Sequence, residues 1–203
     1  MKWLIVIFFS FCTSAQNKPC NELLLQSKQV LVKYFNKITN LAEPHYLTKK
    51  ELFSVVSPEC STFSIPKNNL EVILIKSNLF LNSEKMDLSF GPFQMKVSFI
   101  LKTLNKAPKT SINDDKLLKI KTNNFLSSSD VDYLNKIEVQ WKILRIFELN
   151  NIKIYKKHTL QGLYTVYNKG TISKRKIYFS KIDCIKKTYE EWCSEFLNFL
   201  NLI

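Results

Sequence analysis

Apolar residues recur along most of this chain at three- and four-residue spacing, the pattern that places one greasy stripe on a helix. The first such run extends from about Asn21 to Ile38, with Leu24, Leu31, Tyr34, Phe35 and Ile38 on its apolar side. Thr48 followed three residues later by Glu51 has the form of a capping box, and it predicts a second helix through Leu52, Phe53, Val55 and Val56 that ends close to Glu59. Pro66 opens a third helix, with Leu70, Ile73, Leu74 and Ser77 on its buried stripe, and Pro92 starts a fourth through Met95, Phe99 and Leu101. From Lys106 to Ser129 the chain is polar, carries Pro108 and a run of serines, and reads as a long connection with one short helical piece around Leu117. Asp130 then opens a long helix through Tyr133, Leu134, Ile137, Trp141, Leu144 and Phe147. Another helix follows from about Ile152 to Tyr167, and a last one from about Lys187 to Leu200 is lined by Trp192, Phe196 and Phe199. Thr171 to Phe179 is rich in strand formers, but one short strand does not make a sheet. The expected fold class is therefore mainly α, with neither an internal repeat nor a domain boundary.

Residues 1–15 stand apart from that pattern. Lys2 gives a positive start, Trp3 to Phe11 form an apolar run, and Thr13, Ser14 and Ala15 supply the small residues a signal peptidase requires. The run is far short of the about 20 apolar residues that cross a bilayer. A secretory signal over 1–15 and a single domain over 16–203, exported without a transmembrane segment to the periplasm or beyond the cell, are expected. The rival reading, a lipid-modified Cys12, fits poorly with the bulky Phe11 before it. Loss of the signal leaves Cys20, Cys60, Cys184 and Cys193, an even number consistent with two disulfides in any of three pairings. There is no C-x-x-C, and the only histidines are His45 and His158, so neither a metal nor another cofactor is expected.

The charge changes the picture less than its size suggests. Thirty Lys and Arg against seventeen Asp and Glu give +13, which favours anionic partners such as wall polymer, membrane surface or nucleic acid. Nucleotide bias toward Lys, Asn, Ile and Phe codons yields the same composition with no partner at all. The aromatic residues sit on faces expected to be buried and no nucleic-acid motif is present, so a nucleic-acid partner is not expected.

Three short elements carry the candidate chemistry. Glu59, after Pro58 at a helix end, has Val55, Val56, Cys60, Phe63 and Ile65 for neighbours. A carboxyl set among apolar side chains loses hydration of its charged form and holds its proton, as a general acid must. The plainer reading is a solvated helix-end carboxylate. In Ser89-Phe90-Gly91-Pro92-Phe93-Gln94-Met95, Gly91 permits a sharp turn and close approach of a ligand, and Gln94 offers amide donors and acceptors; the plainer reading is a loop-to-helix junction. In Tyr164-Thr165-Val166-Tyr167-Asn168-Lys169-Gly170 the glycine also fits an ordinary helix C-cap. Two of the three glycines of the chain fall in these last two elements.

The order Glu closing a helix, Gly-x-x-Gln, then Tyr-Asn-x-Gly resembles the soluble lytic transglycosylases and goose-type lysozymes of the lysozyme-like superfamily. In those proteins the elements read approximately Glu-Ser, Gly-Leu-Met-Gln and Ala-Tyr-Asn-Ala-Gly; here they read Glu59-Cys60, Gly91-Pro92-Phe93-Gln94 and Val166-Tyr167-Asn168-Lys169-Gly170. The Pro-Glu and Phe-Gln-Met-Lys strings, with Val139-Gln140-Trp141 downstream, look closer still to uncharacterised secreted bacterial members. The resemblance spans about residues 48–170 and implies a helical domain with a cleft for peptidoglycan glycan strands. In that cleft Glu59 acts as the catalytic acid, Gly91 and Gln94 line the sugar site, Tyr167 helps to orient Glu59, and Asn168 holds the turn. One carboxyl suffices for a lytic transglycosylase. A hydrolase needs a second to position water, for which the family's arrangement suggests Asp87, with Glu84 weaker, each of which also reads as a solvated loop acid. Cys60 in place of Ser and Lys169 in place of a small residue depart from the family pattern and leave room for a protein that binds the wall without cutting it.

Overall fold

The computed structural model describes residues 20–61, 63–81, 88–123, 126–169, 178–182 and 185–203. These are mainly helical, in agreement with the periodicity. Helix α1 (Cys20–Ile38) buries Leu31, Tyr34, Phe35 and Ile38. The capping box at Thr48 forms as expected: its side chain accepts from the Glu51 N–H, and the Glu51 carboxylate accepts the Thr48 N–H at 2.7 Å. The helix it starts is short, however. It stops at Ser54 (α2, Lys49–Ser54), and after Val55 and Val56 a second short helix runs over Ser57–Ser61 (α3), so Glu59 lies inside a helix of its own.

Helix α4 (Ile65–Leu81) follows, then a two-stranded ribbon, β1 (Ser89–Phe90) and β2 (Met95–Lys96), with Phe90 opposite Met95. Pro92 therefore sits in the turn of a hairpin, and the fourth helix expected from it starts at Val97 instead (α5, Val97–Lys106). The polar stretch after it holds more structure than expected. A single 3-10 turn (Lys109–Ser111) leads to α6 (Asp115–Asn123), whose buried Leu117 and Ile120 anchor it. The Lys121 ammonium caps the end of α5 by donating to the Leu104 and Asn105 carbonyls at 2.7 and 3.1 Å.

The long helix expected from Asp130 is two: α7 (Ser128–Leu134), capped by Ser127, and α8 (Ile137–Asn150). Helix α8 is the centre of the molecule. It packs against α1, α2, α5, α7 and α9 (Ile152–Lys169), and buries Val139, Trp141, Ile143, Leu144, Ile146 and Phe147. Its buried Glu148 accepts the backbone N–H groups of His45, Tyr46 and Leu47 at 2.7–2.8 Å, pinning the α1–α2 loop. Helix α9 is kinked at Thr159, where φ is +55°, a conformation that strains a β-branched residue. The fold at that kink brings Gly162 so close to His158 that an added Cβ would lie 2.6 Å from the histidine Cβ.

Strands β3 (Tyr178–Ile182) and β4 (Ile185–Thr188) form an antiparallel hairpin, so the single strand expected over 171–179 has a partner; residues 171–177 lie outside the described part. Helix α10 (Tyr189–Asn201), capped by Thr188 with Glu191, then docks its Tyr189, Trp192, Cys193, Phe196 and Leu200 onto α2, α3 and α9.

Two expectations need correction. Leu70, Ile73 and Leu74 on α4 are exposed to solvent, and the buried positions are Asn68 and Ile75. Apolar residues run round that helix, so spacing alone did not select the inward face. Cys60 and Cys193 are free thiols, each buried in the core; the side chains of Cys20 and Cys184 lie outside the described residues.

Candidate functional site

The turn between β1 and β2 is clamped from two helices. Gly91 takes φ +76°, and its N–H donates to the Asn68 side-chain oxygen of α4 at 2.6 Å. From α8, the fully buried Gln140 spans the turn: its Oε1 accepts the Phe93 N–H and its Nε2 donates to the Phe90 carbonyl, both at 2.8 Å. The amide lies so tightly against Gly91 that an added Cβ would fall 1.9 Å from Nε2. The close approach expected at Gly91 is therefore made by Gln140. Gln94, also at positive φ (+48°), closes the turn on itself, its N–H and its Nε2 both donating to the Gly91 carbonyl at 2.9 and 3.1 Å.

Tyr167 joins this turn to the acidic residue. Its hydroxyl donates to the Phe93 carbonyl at 3.0 Å. Its ring meets Phe99 and Phe147 edge-on and stacks on Tyr189 with centroids 6.3 Å apart. Burial pushes the phenol well above its ordinary pKa, and the negative charge of Glu59 pushes it further. The same carboxylate acts on Tyr189 and on the Cys193 thiol, both raised first of all by burial. Tyr167 is thus bonded to the Gly91–Gln94 turn and lies within the electrostatic reach of Glu59, which is half-buried on α3.

Other candidate residues fare differently. Cys60, next to Glu59, is fully buried, and burial raises its thiol above the ordinary range. Asp87, Glu84 and Gly170 lie outside the described residues, as does the side chain of Lys169. A cavity of about 30 Å³, room for one water, lies between Phe99, Thr103, Phe147, Asn151 and Val166.

Three residues that shape the neighbourhood went unassigned from sequence. Asn68 and Gln140 were detectable as polar residues within apolar helical runs, which implies a buried bonding partner. Tyr189 was detectable as an aromatic just after the Thr188 N-cap; its hydroxyl donates to the Val55 carbonyl at 2.9 Å, so the last helix braces the backbone between α2 and α3. Tyr164 adds a similar brace through Ser54 at 2.8 Å.

No family model, no curated protein and no solved structure matches this chain. The class of the protein consequently rests on its own geometry: a mainly helical domain in which a half-buried glutamate and a partly buried tyrosine lie near a doubly clamped glycine turn.

Proposed function

We propose that the protein is an exported peptidoglycan-cleaving glycosidase of the lytic transglycosylase type, with a lysozyme-like fold, working in the periplasm or outside the cell. The observation that carries this reading is the Tyr167 hydroxyl bonded to the Phe93 carbonyl of the Gly91–Gln94 turn, with Glu59 near enough to act on the same phenol. Glu59 gives its proton to the glycosidic oxygen as the bond from that oxygen to the muramyl anomeric carbon breaks, leaving an oxocarbenium-like sugar. The resulting carboxylate then removes the proton of the muramyl 6-hydroxyl, whose oxygen closes on the anomeric carbon to give a 1,6-anhydro end. The acid is regenerated and no water is consumed. In this reading the half-buried Gln94 is the part of the turn that meets the glycan, and Tyr167 ties the turn to the helix that follows Asn151.

Mass spectrometry of fragments released from purified peptidoglycan tests this. Anhydro-ended products from the mature protein, reduced at least a hundredfold by Glu59→Gln, are expected. No release by the wild type, or equal release by the variant, overturns Glu59 catalysis, and reducing ends would identify a hydrolase.

One observation favours a second reading, a wall-binding protein without activity. Where the resembled family has Ser after the acid, Cys60 turns a buried thiol into the core, and the Gln94 amide is committed to its own turn. Sedimentation with insoluble wall material in the absence of fragment release would establish that reading.

A further inference from the structure

A second site lies on the far side of α8. Gln140 faces the Gly91–Gln94 turn, and Lys142 and Arg145, two and five residues on, lie roughly 140–200° round the helix from it. With His45 from the α1–α2 loop and Asn113 and Asp114 ahead of α6, they line a cavity of about 100 Å³. That is about three water volumes at roughly 30 Å³ each, the size of a single small group rather than of a sugar chain.

The charges in this cavity are unevenly matched. Asp114 is already committed: it accepts from the Tyr133 hydroxyl at 2.5 Å, from the Lys142 ammonium at 2.7 Å and from the Leu117 N–H at 3.0 Å. Lys142 spends one of its three N–H donors there. The Arg145 Nε is shut off from solvent and has no hydrogen-bond partner among the described residues. A guanidinium N–H without an acceptor is rare, and it marks Arg145, which lines the cavity, as a cation that the described residues leave incompletely partnered. The flat fork of an arginine matches a carboxylate or a phosphate, and the remaining Lys142 donors lie one helical turn away on the same face. His45 fits the same arrangement. Its imidazole is held below the ordinary value, first by burial and then by the Arg145 charge, with the Glu148 carboxylate acting in the opposite sense. Burial and the Arg145 charge both favour the neutral ring, which offers an N–H without adding a cation.

We propose that the cavity between His45, Arg145 and Lys142 is a binding site for a small oxyanion, a carboxylate or a phosphate. The proposal is independent of whether Glu59 cleaves glycan.

Nuclear magnetic resonance on the full mature chain tests it by following the Arg145 Nε–H signal during separate titrations with inorganic phosphate and with acetate. A saturable shift of that signal is expected with at least one of the two. Saturation by phosphate alone assigns the site to phosphate groups, and saturation by acetate alone assigns it to carboxylates. With bound anion the His45 ring, distinguishable from His158 by a His158→Gln control, should titrate at higher pH than in the free protein. The charged groups that act on that ring are Arg145 and Glu148, and Lys142 and Asp114 line the same cavity. Arg145→Lys, which keeps the charge and loses the fork, should weaken binding about tenfold, whereas Lys153→Gln, on an exposed position of α9, should not. A linear, non-saturating response to both anions in the wild type overturns the proposal without reference to any variant, as does equal affinity in Arg145→Lys.

Discussion

At Gly91 a single added methyl group would overlap the Gln140 amide at 1.9 Å in a backbone conformation, φ +76°, that disfavours any side chain. Gly91→Ala should therefore destabilise the fold by about 2–3 kcal/mol or more, read as a lowered urea midpoint. Gln140→Ala strands the buried Phe93 N–H and Phe90 carbonyl and should cost about 2–4 kcal/mol. Because the two residues touch, the double variant should lose less than the sum of the two, and strict additivity would show that Gln140 moves aside freely. The sequence marks position 91 as needing glycine, but the partner that crowds it comes from nearly fifty residues away, beyond the reach of local pattern. Asp114 supports a prediction in pH. Burial alone would raise its carboxyl, but hydrogen bonds from Lys142, Tyr133 and the Leu117 N–H, together with the Lys142 charge, hold it below the ordinary value. A carboxyl lowered on folding contributes stability above its unfolded pKa of about 3.9 and loses it as pH falls toward the folded value. Asp114→Asn should thus cost about 1–2 kcal/mol at pH 6–7, and the gap from wild type should close below about pH 4. A gap independent of pH down to pH 2 would remove the ionic share of this network.

Among the elements, the starts marked by a capping Thr were legible, whereas the start expected at Pro92 fell in a hairpin turn and helix faces were not always readable. Thr48 with Glu51 and Thr188 with Glu191 form capping boxes because each is a local matter of four residues. The breaks at Asn135–Lys136 and Thr159 divide runs that read as continuous helices with no proline or glycine at the break to announce them, whereas Pro58, which offers no N–H to the Ser54 carbonyl, marks the break at Val55–Val56. Helix α4 is the instructive case. Leu70, Ile73 and Leu74 make an apolar stripe, Val72, Ile75 and Leu79 make another, and the second faces the core because it sets Asn68 against Gly91. The consequence is measurable. Ile75→Ala should cost about 2–5 kcal/mol, as a buried large-to-small change does, whereas Ile73→Ser, at 59% exposure, should alter thermal stability by at most about 0.5 kcal/mol. Equal losses at both positions would mean that α4 is rotated from the orientation described.

Across the whole molecule, the last helix closes over the first part of the candidate site. Tyr189 donates to the Val55 carbonyl across 134 residues of chain, and Cys193 lies 3.9 Å from the same oxygen. Such non-local closure is invisible to periodicity, which shows that α10 has an apolar side but not what it covers. It also means that the Glu59 neighbourhood, whose Tyr167 stacks on Tyr189, is assembled only once α10 has docked. The two buried thiols report on this directly, because Cys60 belongs to α3 and Cys193 to α10, and burial holds both in the unreactive protonated form. In native buffer neither should react with a thiol reagent on the timescale of a free cysteine. In rising urea, peptide mapping should find both labelled through one transition that coincides with loss of helical circular dichroism, the behaviour of a single cooperative unit. Labelling of Cys193 at a lower urea concentration than Cys60 would show that α10 undocks by itself. In that event the Tyr167 ring would lose its stacking partner Tyr189, and under the proposed function the release of glycan fragments should be lost with the Cys193 transition rather than with global unfolding.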